Sequence, residues 1–182
     1  MVDVLQETED APASRPAITL RQLPTEGGTG PLNELGRRAA EVPLGPLWAR
    51  LEDWASYRWG ERAVSWVVDG PGDWTPRLRP VVTFDTTEVW HDGWTPVTLA
   101  TTPLGGLELP GGGPYRIVAT VGDTSTVPAE VEEALRRLAF FIADAWEAPG
   151  GITQIDDLAR PAAWPARAMH YSGAADLLRR YR

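Results

Sequence analysis

The apolar residues of this 182-residue chain change period twice, and that change limits the fold more than any other feature of the sequence. Before Gly60 they recur every three or four positions, from Glu61 to about Val121 they largely alternate, and after Thr126 the helical spacing returns. Helices, then strands, then a long helix within one short chain predict an α+β fold. The expected arrangement is a small helical bundle, N-terminal helices plus a long helix about 126–146, with an inserted antiparallel β ribbon and a C-terminal tail helix.

The long helix is the firmest element. Val131, Leu135, Leu138, Ile142 and Ala145 form its stripe, Ala134, Phe141 and Trp146 widen it, and Thr126-Val127-Pro128 with Glu130, Glu132 and Glu133 suit its positive end. Two shorter helices are expected earlier. Pro31 opens one that Pro43 ends, and a second runs from Gly45-Pro46 through Leu47, Trp48, Leu51 and Trp54 to a stop at Gly60. Between these helices and the long one, Val64, Trp66 and Val68 start the extended region. Further strands are read near Leu78–Phe84, Thr87–His91, Trp94–Thr101 and Tyr115–Val121, with Asp92-Gly93 as the sharpest hairpin signal. Pro80 and Pro96 confine some of them to edges or irregular ribbon.

The two ends read differently. Residues 1–30 carry Asp3, Glu7, Glu9 and Asp10, three prolines and a Gly27-Gly28-Thr29-Gly30 run, and are expected to form a flexible arm. The core is drawn over 31–148, with the ribbon about 61–122. Residues 149–182 are expected to be an extended arm, without periodicity as far as Tyr171, followed by a helix capped by Ser172 with Ala174, Leu177, Leu178 and Tyr181 on one face. So short a helix is marginal alone, so its apolar face is expected to dock onto another chain. Leu177, Leu178, Arg179, Arg180, Tyr181 and Arg182 are the candidate partner-binding residues, the arginines suiting both the helix's negative end and an acidic partner.

Chemistry is constrained as well. The sequence holds no cysteine and no lysine, which removes disulfides, thiolate zinc sites, cysteine nucleophiles, Schiff-base lysines and the Walker lysine. The two histidines, His91 and His170, lie near no G-x-S-x-G pattern, and Gly111-Gly112-Gly113 lacks the lysine and helix start of a phosphate loop. Asp156-Asp157 falls in no calcium-loop spacing. No catalytic, cofactor-binding or metal residue is predicted. A net charge of -8 disfavours nucleic-acid binding. No apolar run reaches spanning length and the first residues are acidic, so a cytoplasmic chain with no membrane contact is expected. Nine tryptophans, among them Trp66, Trp74, Trp90 and Trp94 in the extended region, leave a carbohydrate-binding module as one alternative.

In order of parts the chain resembles the head-to-tail connector (adaptor) family of tailed phages. The residues that carry the likeness are Trp54-Ala55-Ser56-Tyr57-Arg58-Trp59-Gly60-Glu61-Arg62-Ala63-Val64-Ser65-Trp66, then Pro114-Tyr115-Arg116-Ile117-Val118-Ala119-Thr120-Val121-Gly122 with Val127-Pro128-Ala129-Glu130-Val131, and the closing Leu177-Leu178-Arg179-Arg180-Tyr181-Arg182. The resemblance implies a non-enzymatic virion protein of the neck, assembled in the host cytoplasm. It implies a dodecameric ring whose C-terminal segments grip the portal protein and whose far side receives a stopper or tail terminator protein. DNA would pass only transiently through the lumen. A stopper or tail terminator identity for the chain itself is the nearest alternative.

Overall fold

The computed structural model describes residues 2–15, 18, 31–145 and 163–182. In chain order its elements are β1 (Asp3–Glu9), α1 (Pro31–Glu41), α2 (Leu44–Ala55), β2 (Arg62–Asp69), β3 (Gly72–Trp74), β4 (Val81–Trp90), β5 (Trp94–Pro96), β6 (Leu107–Leu109), β7 (Pro114–Val121), α3 (Ala129–Ala145), α4 (Ala163–Tyr171), α5 (Ala174–Leu177) and a closing 3-10 turn (Arg179–Tyr181). The fold is mixed α+β, as the two changes of period predict. The chain divides into two compact units, one of residues 1–16 and 57–125, the other of 17–56 and 126–182.

In the first unit the expected ribbon is a five-stranded antiparallel sheet, order β1-β2-β7-β4-β5, accompanied by the two-stranded sheet β3-β6. Alternation explains why it closes. Val64, Trp66 and Val68 of β2 and Tyr115, Ile117, Ala119 and Val121 of β7 all fall on one face and are buried. Trp74, Leu78, Val89, Leu99, Leu107 and Leu109 complete that core, so the small sheet packs over the inner face. At about 1.5–3 kcal/mol for each fully buried large apolar side chain, this core is the main source of the unit's stability. The Asp92-Gly93 hairpin is present: Trp90 pairs with Trp94, Asp92 takes φ 58, and the His91 N–H donates to the Gly93 carbonyl at 2.9 Å. Pro96 sits on β5, an edge strand, where a missing N–H is tolerated.

Residues 1–30 are not an arm throughout, because residues 3–9 are the edge strand β1, antiparallel to β2 with a bulge between Val4 and Gln6. Polar anchors hold it. The Trp66 indole N–H donates to Glu7 at 2.8 Å, and Glu9 accepts from Arg58 at 2.8 and 2.9 Å and from Arg62 at 2.7 Å. Beside this cluster the chain enters and leaves the sheet. Gly60 donates to the Asp123 carbonyl at 2.8 Å, Asp123 N–H to the Arg58 carbonyl at 2.9 Å, and the Tyr57 hydroxyl to the Asp123 carboxylate at 2.8 Å. Gly60 has φ +89, and a Cβ there would lie 2.1 Å from the Ser14 carbonyl oxygen, so glycine is required.

In the second unit α3 is the central packing element, and α1, α2, α4 and α5 all contact it. Its buried stripe is Val131, Ala134, Leu135, Leu138, Ala139, Ile142 and Ala143. The stretch before Ser172, expected to be extended, contains α4. Pro165 lies in that helix's first turn, where the missing N–H has no intrahelical partner to lose. The remainder of the expected arm, residues 149–162, lies outside the described residues, as do Asp156 and Asp157.

Candidate docking surface

The terminal segment turns back on α3 through a sharp corner. At the end of α4 the Ser172 N–H donates to the Ala168 carbonyl at 3.1 Å and the Gly173 N–H to the His170 carbonyl at 3.0 Å. Gly173, with φ +74, stands at the cap position in place of the expected Ser172, whose hydroxyl one residue earlier accepts the Ala174 N–H at 3.3 Å. After that corner α5 runs for one turn and tightens into the 3-10 turn.

That tightening breaks the expected stripe. In a continuous helix Ala174, Leu177, Leu178 and Tyr181 share a face; here Ala174 and Leu178 are fully buried, while Leu177 and Tyr181 are only half-buried. A 3-10 turn advances each residue by about a third of a turn, more than an α-helix does, and carries Tyr181 off the line of Leu178. The premise that the terminal segment lacks a home partner is therefore corrected. Leu178 finds its apolar surroundings within its own unit, where α5 lies on α3.

The terminal arginines are tethered too. Arg180 pairs with Glu130 in the first turn of α3 and donates to the Tyr181 hydroxyl at 2.5 Å. The Arg182 guanidinium stands 4.9 Å over the Trp54 ring, and the His170 ring meets Trp54 edge-on at 4.8 Å. Arg179 pairs with Asp176 at 3.2 Å, both largely in solvent, where such a pair contributes little. Exposed in this segment are Tyr171, at 74%, with Arg179, Arg180 and Arg182 and one carboxylate, Asp176, while Leu177 and Tyr181 are half-buried. Beside it a cavity of about 320 Å³ is lined by Arg136, Arg137, Phe140 and Ser172. The Glu133 carboxylate lies between the two arginines; burial alone would raise its pKa, but their hydrogen bonds and charges outweigh that and lower it. Such a surface suits an acidic protein partner.

The other sequence candidates separate cleanly. His91 sits in the hairpin turn and His170 against Trp54. Gly111 is part of a loop closed by Tyr115, whose hydroxyl accepts the Gly111 N–H at 3.1 Å and donates to its carbonyl at 3.0 Å. Of the four tryptophans in the extended region, Trp66 and Trp74 belong to the core and only Trp90 and Trp94 reach the surface. Among the described residues no group of three His, Asp or Glu side chains is gathered that could hold a metal ion. Nor is any helix of the described residues long and apolar enough to cross a membrane. Sequence reasoning missed the Glu9 cluster, whose residues are far apart in the chain, and an exposed turn at Leu104.

No protein-family model matches the sequence, and no curated protein matches it. Solved structures do. The chain is similar to one in the neck of an empty GTA particle computed with C6 symmetry, at 19% identity and a TM-score of 0.50, over 80% of this chain and 85% of that one. A chain of the virion of the native gene transfer agent (GTA) particle matches at 16% identity and a TM-score of 0.45, over 82% of this chain and 85% of that one. One in the neck of the native particle computed with C12 symmetry matches at 18% identity and 0.46, over 71% and 83%. The first of these shows that the chain shares, over 80% of its length, the fold of a chain in the neck of a GTA particle.

Proposed function

We propose that this chain is a non-catalytic structural subunit of the neck of a tailed-phage-like particle. Its finer role is a head-to-tail connector (adaptor), a homo-oligomeric ring between the portal protein and the stopper or tail terminator, through which DNA passes. The observation that carries this reading is the fold shared with a neck chain over most of both proteins. It supports the resemblance already carried by the Trp54–Trp66 and Pro114–Val131 stretches. Acidity fits a conduit, because a chain whose carboxylates outnumber its arginines, with a net charge of -8, does not retain passing DNA.

In this reading the portal meets Leu177, Arg179, Arg180, Tyr181 and Arg182 at the outward surface, while Leu178 holds the segment to its own subunit. Leu177→Asp leaves the subunit folded and blocks its joining to heads; normal joining removes the docking role. Imaging purified particles with the chain tagged tests the identity. Density against the portal supports a connector, density at the far end a stopper or terminator, and particles whose neck lacks the tag refute the neck reading altogether.

A further inference from the structure

Leu104 is 84% exposed, yet it is held firmly. The Gly105 N–H donates to the Thr102 carbonyl at 3.0 Å, Gly106 N–H to the Thr102 hydroxyl at 3.0 Å, and Thr102 N–H to the Gly106 carbonyl at 2.9 Å. Pro103 fixes the second position of this turn, and Gly105 takes φ +75. A Cβ on Gly106 would lie 2.1 Å from the Trp74 carbonyl oxygen, so the turn is clamped against β3. A leucine presented on a braced turn is a preorganised anchor, which loses little freedom when it binds.

A complementary surface lies on the same unit. Val89 is buried opposite buried Tyr115, so Glu88 and Trp90 face away from the core. There the Trp90 and Trp94 rings meet at 5.3 Å, the Arg116 guanidinium lies 4.7 Å over Trp94, and Arg116 donates to Glu88 at 2.6 Å. Trp90 is 45% exposed. Tryptophan and arginine are enriched at interface hot spots, and the Arg116–Glu88 pair cancels within this one, leaving exposed Asp92 of the hairpin turn as the charge at its edge.

Charge identifies the occupant. The first unit carries twelve carboxylates against six arginines, so two copies repel each other over most of its surface. The segment Val97–Leu107 contains no charged residue at all, and it can approach the tryptophan patch, with Asp92 at its edge, without like-charge contact. The Leu104 turn leaves from the small sheet that covers the inner face, whereas the patch lies on the outer face. Two features on opposite faces of one unit meet only between copies, head to tail, which is the kind of contact that builds a ring when its rotation closes. We propose that the Leu104 turn of one copy seats against the Trp90–Trp94 patch of the next. This rests on the ring reading above and names its contact.

The full chain contains no cysteine, so introduced thiols report unambiguously. In sedimentation velocity the wild type self-associates as concentration rises, and Leu104→Asp and Trp90→Ala each weaken association at least about tenfold with unchanged circular dichroism. A short bismaleimide converts the His91→Cys/Leu104→Cys variant into a covalent ladder, while each single-cysteine variant, with no thiol facing its own across the contact, stays almost entirely uncross-linked. A wild type still monomeric at millimolar concentration, assembled chains that give no ladder, or single-cysteine variants captured as dimers in comparable yield would each overturn the contact. So would a fluorescence response to maltoheptaose that Trp90→Ala abolishes in a chain that does not self-associate. Tagged particles judge the neck reading separately: rings without a ladder remove the contact alone.

Discussion

Replacing Glu9 with glutamine removes the carboxylate that ties β1 to the root of the sheet. Arg58 and Arg62 are 3% and 5% exposed, and both direct guanidinium nitrogens at Glu9 within 2.9 Å. Removing one partner of a fully buried ion pair costs about 3–5 kcal/mol. Glu9 keeps 25% of its side chain in solvent, Arg62 also donates to the Trp59 carbonyl at 2.9 Å, and the glutamine oxygen still accepts one bond. These facts bring the expected loss to about 2–3 kcal/mol, measured by urea unfolding followed through tryptophan fluorescence.

Acid supplies an internal control. Burial by itself would raise the Glu9 pKa, but hydrogen bonds and charges of Arg58 and Arg62 outweigh it and hold the folded value below the ordinary 4.5. A group with a depressed folded pKa contributes its full stabilisation above the unfolded value and loses it as the pH falls through the folded one. The gap between wild type and Glu9→Gln is therefore full at neutral pH, begins to shrink below about 4.5 and closes in stronger acid. A gap under about 1 kcal/mol at pH 7, the size of an ordinary surface pair, refutes the reasoning. A gap that persists unchanged into strong acid does so too.

Gly60→Ala forces a Cβ toward the Ser14 carbonyl at a positive φ, and it is expected to lose at least about 2 kcal/mol by the same urea assay, against almost nothing for Gly93→Ala, where no atom stands within 4 Å. Leu178→Asp places an unpaired carboxylate among buried side chains and is expected to release α5 from α3, read as loss of amide protection over residues 174–182, at a cost of about 3–5 kcal/mol. Trp54→Ala removes the ring under Arg182 and is expected to cost about 0.5–1 kcal/mol beyond its lost packing, a component that Arg182→Met isolates in a double-mutant cycle.

Legibility followed how completely an element obeys one period. β2 and β7 bury alternate residues along their length and α3 buries an unbroken stripe, so hydrophobic pattern alone located them. β1 gives no such signal. Six of its seven residues are exposed, a bulge at Leu5 breaks its register, and what holds it is the ladder to β2 with the anchors at Trp66, Arg58 and Arg62. Those partners lie 49 to 59 positions away, beyond any local pattern. α4 was missed for a related reason: among its described side chains Ala168 and Met169 are the buried ones, too short a stripe to repeat.

The terminal segment shows how burial reassigns a correctly read motif. An apolar face at i, i+3, i+4 and i+7 announces that something must be covered, but not which chain supplies the cover. Here α3 supplies it for Ala174 and Leu178, Leu177 at the end of α5 stays half-buried, and one turn of 3-10 helix carries Tyr181 off that line. Two adjacent leucines therefore answer different questions. Aspartate at Leu178 tests folding of the unit, whereas aspartate at half-buried Leu177 tests recognition by a partner. If both substitutions abolish joining but only the first lowers stability, the segment serves at once as part of the subunit's core and as the surface it offers to its neighbour.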